Sequence, residues 1–97
     1  MGAEFKDGVI KDGGKKLGEV KNGIIKDASN RKLGVVDGDK IKDASYNLVL
    51  TVEKDGDVKD KSYRQIGKVK DFQIKGMERE LDITIVAAYH FLVKKLV

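Results

Sequence analysis

Few side chains in this sequence combine the types and spacing that chemistry requires. The one histidine, His90, lies in the most apolar stretch, with no nucleophile or orienting acid beside it in sequence, so a structural or surface role is expected. Ser29, Ser45 and Ser62 recur at one position of an internal repeat. A catalytic serine has no reason to recur, and turn chemistry accounts for it. Asp37 with Asp39, and Asp55 with Asp57 and Asp60, bring together the hard oxygens that Ca2+ takes. Neither group matches an EF-hand loop or a glycine-rich nonapeptide, so no metal is expected. The glycines follow a hairpin period with no helix after them, which excludes a phosphate-cradling fingerprint, and no cofactor is expected. Tyr46 and Tyr63 occupy equivalent places in adjacent repeats. Such rings either pack over a neighbouring hairpin or form an aromatic platform for a glycan or peptide, which makes these two the candidate ligand-binding residues.

Composition narrows the classes further. Cysteine is absent, which excludes thiol catalysis, disulfides and thiolate metal sites. Twenty basic residues face sixteen acidic ones for a formal charge of +4, but the signs alternate, as in Lys26-Asp27, Lys42-Asp43 and Lys59-Asp60. That pattern suits a solvated sheet face, and no nucleic-acid partner is expected. No segment is apolar for the length of a membrane helix, and no signal peptide opens the chain. If Met1-Gly2 is a cloning scar, a removed export signal would make the protein extracytoplasmic. The whole points to a non-enzymatic structural or binding module, with the tyrosine-based reader of glycans or peptides as the alternative.

The elements that position these residues are hairpins. Val20 to Gly34 reads V-K-N-G-I-I-K-D-A-S-N-R-K-L-G, and Asn22-Gly23 between β-formers is the strongest short hairpin signal. Versions of it recur. The apolar residues before each turn are Phe5, Val20, Val36, Val52 and Val69, and those after it are Ile10, Ile25, Ile41, Val58 and Ile74. A two-residue loop sets Val20 opposite Ile25 on one face and Glu19 opposite Lys26 on the other. In the fourth copy Lys54-Asp55-Gly56 fits a three-residue loop with glycine in the left-handed position, which restores Val52 opposite Val58. Return turns open on Asp12, Asp27, Asp43 and Asp60, each suited to an Asx-turn. Leu17, Leu33, Val49 and Ile66 stand three residues before the next anchor, with Gly18, Gly34 and Gly67 following in three cases. Odd spacing needs a bulge or a close backbone approach to turn both apolar residues inward.

The expected architecture is therefore all-β: one domain of five hairpin repeats of about 16 residues, at about 4–18, 19–34, 35–50, 51–67 and 68–80, followed by an apolar tail over 81–97. The fifth copy is degenerate, with Asp71-Phe72 in place of the glycine turn. Isolated hairpins are marginal, and five around an axis bury their faces and leave no free edge, so a closed ring is expected. The tail alternates apolar and polar residues and reads mainly as strand, with a short helix near 77–88 as the alternative. It either fills the ring or meets a second copy of the chain. Phe91, Leu92, Val93, Leu96 and Val97 are the candidates for self-association into a homo-oligomer.

The unit Asp60-Lys61-Ser62-Tyr63-Arg64-Gln65-Ile66-Gly67 resembles that of the five-fold β-flower proteins, and Asp27 to Gly34 and Asp43 to Leu50 resemble it less closely. Lys75-Gly76-Met77 and Ala87-Ala88-Tyr89-His90-Phe91 are similar to that family's closing step and tail. The resemblance covers most of the chain and implies the ring of hairpins and export, but no activity. Leu50 and Phe72 depart from the pattern, which directs attention to Tyr46, Tyr63, Phe72 and the tail.

Overall fold

The structure is a computed structural model that describes residues 2–97. Nine antiparallel strands follow one another in a meander, each beside its sequence neighbours: β1 (Ala3–Lys6), β2 (Val9–Asp12), β3 (Lys15–Lys21), β4 (Ile24–Asp27), β5 (Lys32–Asp37), β6 (Lys40–Asp43), β7 (Leu48–Val52), β8 (Asp57–Asp60) and β9 (Gln65–Lys68). One α-helix, α1 (Asp82–Ala88), and a π-helical turn (Tyr89–Val93) close the chain.

Turn chemistry sets the register. Asp7-Gly8 and Asn22-Gly23 both hold positive φ at both positions (52° and 82°, 53° and 76°), the signature of a type I′ turn. Val20 accordingly lies opposite Ile25 and Glu19 opposite Lys26. In the fourth hairpin Gly56 takes φ 93° and Val52 lies opposite Val58. Each return connection carries a register shift, between Ile10 and Lys11, Ile25 and Lys26, Ile41 and Lys42, and Val58 and Lys59. The bulge resolves the odd spacing: Leu17, Val49 and Ile66 pack half-buried against the core beside Val20, Val52 and Val69.

The core begins with Ile10, Ile25, Ile41 and Val58, all fully buried. Opposite them in register stand Gly18, Gly34, Leu50 and Gly67. A Cβ at Gly18 would meet the Lys26 carbonyl and Leu92, one at Gly34 would meet the Phe91 ring and the Lys42 carbonyl, and one at Gly67 would lie 2.6 Å from Phe72 Cζ. Side chains from later in the chain thus fill the space that three glycines leave. Leu50 fills its own.

Two expectations are corrected here. The tail is not a strand: 82–88 is helical and 89–93 continues it as a π-turn. Alternation misleads because the segment is enclosed rather than half-exposed, with Thr84 through Ala88 buried consecutively. An enclosed backbone must satisfy its own N–H and C=O groups, which a helix does and an unpaired strand does not. The second correction concerns the fifth hairpin and the closed sheet. The strand array stays open, and 68–80 forms no hairpin. Without a turn glycine, Val69–Asp71 makes a single 3-10 turn, with the Lys68 N–H donating to Asp71 Oδ2 at 3.0 Å, and Phe72 turns inward over Gly67. What reaches β1 is the next segment, where the Phe5 N–H donates to the Lys75 carbonyl at 2.7 Å and Glu4 forms a lone parallel bridge with Lys75.

Candidate functional site

A meander puts all hairpin turns at one edge of the sheet and all return turns at the other. The return edge is where the distinctive side chains gather. Asp27, Asp43 and Asp60 each accept two backbone N–H groups on Oδ1, from Ser29 and Arg31, Ser45 and Asn47, and Ser62 and Arg64, at 2.8 to 2.9 Å. The N–H groups of Arg31, Asn47 and Arg64 hold the three carboxyls below their ordinary value of 3.8. The expected Asx-turns therefore form at these three. At Asp12 the connection is shorter, and Gly13 and Gly14 take left-handed backbone themselves (φ 61° and 87°).

Each clamp forces one residue into the left-handed region: Asn30 (φ 68°), Tyr46 (φ 68°) and Tyr63 (φ 66°). Asn tolerates that backbone and Tyr does not, so the two tyrosines are held at some cost in strain. They remain exposed, at 59% and 56%. Lys42 Nζ lies 5.2 Å and Lys32 Nζ 5.5 Å from the Tyr46 ring centre, and Lys59 Nζ lies 5.3 Å from that of Tyr63, within cation–π range. Lys42 also meets Asp37 at 2.9 Å and Lys59 meets Glu53 at 3.0 Å. Val35 and Thr51, the cross-strand partners of Lys42 and Lys59, are buried although they face away from the core cluster.

On the inner side of the same turns an open groove of about 1360 Å3 runs between the return connections and the tail, lined by Lys61, Arg64, Lys94 and Lys95 over an apolar floor that includes Val49 and Phe91. The tyrosines do not line it. His90 does, but its side chain is engaged: Nδ1 accepts the Leu96 N–H at 2.9 Å and pins the tail. Burial, with a smaller contribution from Lys95, pushes His90 below its ordinary 6.5, which favours the neutral acceptor.

Of the five tail residues expected to drive self-association, Phe91, Leu92 and Leu96 pack against the core, while Val93 and Val97 stay exposed. Of the five aspartates weighed as metal ligands, three face lysines, with Asp37 on Lys42, Asp39 on Lys40 and Asp57 on Lys68, while Asp55 and Asp60 accept backbone N–H groups. Among the described residues no three metal-ligating side chains come together. The groove cations escaped sequence reasoning. Arg64 directly follows the residue in the left-handed turn position, a signal within reach, but Lys94 and Lys95 join it only through the path of the tail.

The arrangement can stack a ring, bind hydroxyls and attract anions. A family model described as 5-fold beta-flower protein matches residues 1–93. Neither a curated protein nor a solved structure matches the chain.

Proposed function

The chain belongs to the five-fold β-flower family, and from that premise we propose that it is a non-enzymatic binding module that presents the return-turn edge to a glycan or peptide. The observation that carries this reading is the pair Tyr46 and Tyr63, held exposed in a left-handed turn that Asn30 occupies in the preceding repeat. Strain of this kind, roughly 1 kcal/mol or more per residue, persists where the surroundings impose it and clusters at binding sites.

The scaffold in this reading is a ring of five units with a reduced fifth. In support, the amides of Val20, Val36, Val52 and Val69 each donate to a carbonyl of the preceding hairpin turn, at Gly8, Gly23, Asp39 and Gly56, at 2.8 to 2.9 Å. The Phe5 amide finds its acceptor at Lys75, which lets 73–77 stand in for the missing strand. The helix and its π-turn fill the centre.

The test is a screen of neutral and charged glycans and peptides against the wild-type chain and the Tyr46→Asn, Tyr63→Asn double variant, which keeps the turn backbone while removing both rings. Ligands bound by the wild type and lost by the variant support the platform. A full panel with no ligand, or ligands bound equally by both proteins, overturns it.

A further inference from the structure

From the charges around the return turns we infer that the ligand is an anionic polysaccharide, a linear sugar chain bearing carboxylates or sulfates; this deepens the platform assignment above and rests on it. The carboxylates at this edge are already engaged. Asp27, Asp43 and Asp60 each hold two backbone N–H groups. The cations are not. Among the described residues Lys32, Lys61, Arg64, Lys94 and Lys95 have no carboxylate within ion-pair distance, while Lys40, Lys42, Lys59 and Lys68 each have one. Four of the five unpaired cations line the groove on the inner side of the return turns, and Lys32 stands over the Tyr46 ring on the outer side. The groove lining thus sets four cations against the two carboxylates of Asp43 and Asp60, whose Oδ1 atoms are already taken by backbone N–H groups.

The form of the site favours a sugar polymer over other anions. Equivalent return turns are two strands apart, which places them about 10 Å from one another along the sheet. A disaccharide repeat of an extended glycan advances by a comparable distance, so one chain can meet Tyr46 and Tyr63 in succession. Stacking on a Tyr face serves the apolar side of a sugar ring, and Asn47 and Ser62, which line the same groove as Arg64, offer partners for its hydroxyls. Single-stranded nucleic acid stacks successive bases at closer intervals than the spacing of about 10 Å between these two turns.

The inference is tested by isothermal titration of the full chain with polygalacturonate and with the same polymer fully methyl-esterified, which keeps the backbone and removes the charge. Polygalacturonate should bind, with the ester about tenfold weaker for each charge-assisted hydrogen bond it cannot form. Its affinity should fall as salt rises. Arg64→Gln with Lys61→Gln should remove the preference for the acid, and Tyr46→Asn with Tyr63→Asn should weaken both polymers. Equal binding of acid and ester overturns the anionic assignment and leaves the platform standing. Absence of binding to both polygalacturonate and alginate overturns the anionic assignment, and absence across the neutral panel as well removes the platform too. Unchanged polygalacturonate binding by the tyrosine variant, or tighter binding to an oligothymidylate of equal charge, also overturns it.

Discussion

Gly76 lies against the backbone of Phe5, with φ 93° and no room for a Cβ beside the Phe5 carbonyl. The adjacent Lys75 carbonyl accepts the Phe5 amide at 2.7 Å, so the two ends of the repeat array meet through main chain, with an exposed Lys75–Glu4 ion pair at 3.9 Å beside it. Gly76→Ala should destabilise the protein by about 2 to 4 kcal/mol, combining left-handed strain with overlap. Gly38→Ala is the control. It has φ 63° but open space around the new methyl, and should cost only about 1 kcal/mol. Urea unfolding of both variants separates closure from turn strain, and equal losses would refute a closing role for Gly76.

The fit of Phe72 over Gly67 is the cleanest of the three ring-or-leucine fits over glycine, because a Cβ there meets only side-chain atoms. Phe72→Ala should cost about 2 kcal/mol for a half-buried ring. Gly67→Ala should also destabilise. In the double variant the new methyl occupies part of the vacated space, and the losses should fall short of additive by about 1 kcal/mol. Simple additivity in a double-mutant cycle would show that the ring and the glycine do not share that space.

Tyr46→Asn and Tyr63→Asn should each leave stability within about 1 kcal/mol of wild type. Relief of left-handed strain offsets removal of the lysine–ring attractions, each of similar size at exposed sites. Thermal melts provide the measurement. A loss of several kcal/mol would mean that the rings hold the fold together rather than wait for a ligand.

Acidification should act through His90 before it acts through the aspartates. Burial lowers the folded-state value of His90, so its neutral form contributes stability that is complete above about pH 6.5 and is lost as pH falls toward the lower folded value. Protonation also removes the acceptor for the Leu96 N–H. Asp27, Asp43 and Asp60 have lowered values too, and their contribution is lost only as pH falls below 3.8. Unfolding free energy measured from pH 7.5 to 5 should decline in wild type and stay flat in His90→Leu. Parallel declines would show that another group titrates.

Hairpin registers, the three-residue loop at Lys54-Asp55-Gly56 and three of the four Asx-turns were legible in the sequence because each depends on a few adjacent residues. The glycines at 18, 34 and 67 were legible only as sites of close approach. At Gly18 and Gly34 part of that approach is the backbone carbonyl of Lys26 or Lys42 on the neighbouring strand, but the side chains that also arrive, from Leu92, Phe91 and Phe72, are linked to the glycines by no local pattern. The same non-locality left the helix near 77–88 only the alternative to a strand. Leu81 to Val93 alternates well enough for a strand, but its conformation follows from the enclosed space it enters. At the candidate site the equivalence of Tyr46 and Tyr63 was visible by alignment. Their left-handed backbone was hidden, since Asn30 is the residue type that signals it.

Filling by the tail also dictates an order of events during synthesis. Each hairpin closes over a handful of residues and can form as it leaves the ribosome, since such local contacts are the fastest to make. The trough opposite Ile10 and Ile25 nevertheless stays unfilled until Phe91 and Leu92 emerge, after all nine strands have been made. The nascent chain therefore carries an apolar gap while all nine strands are made, and the segment over 89–93 decides whether it is sealed or left for a chaperone or another nascent chain to occupy.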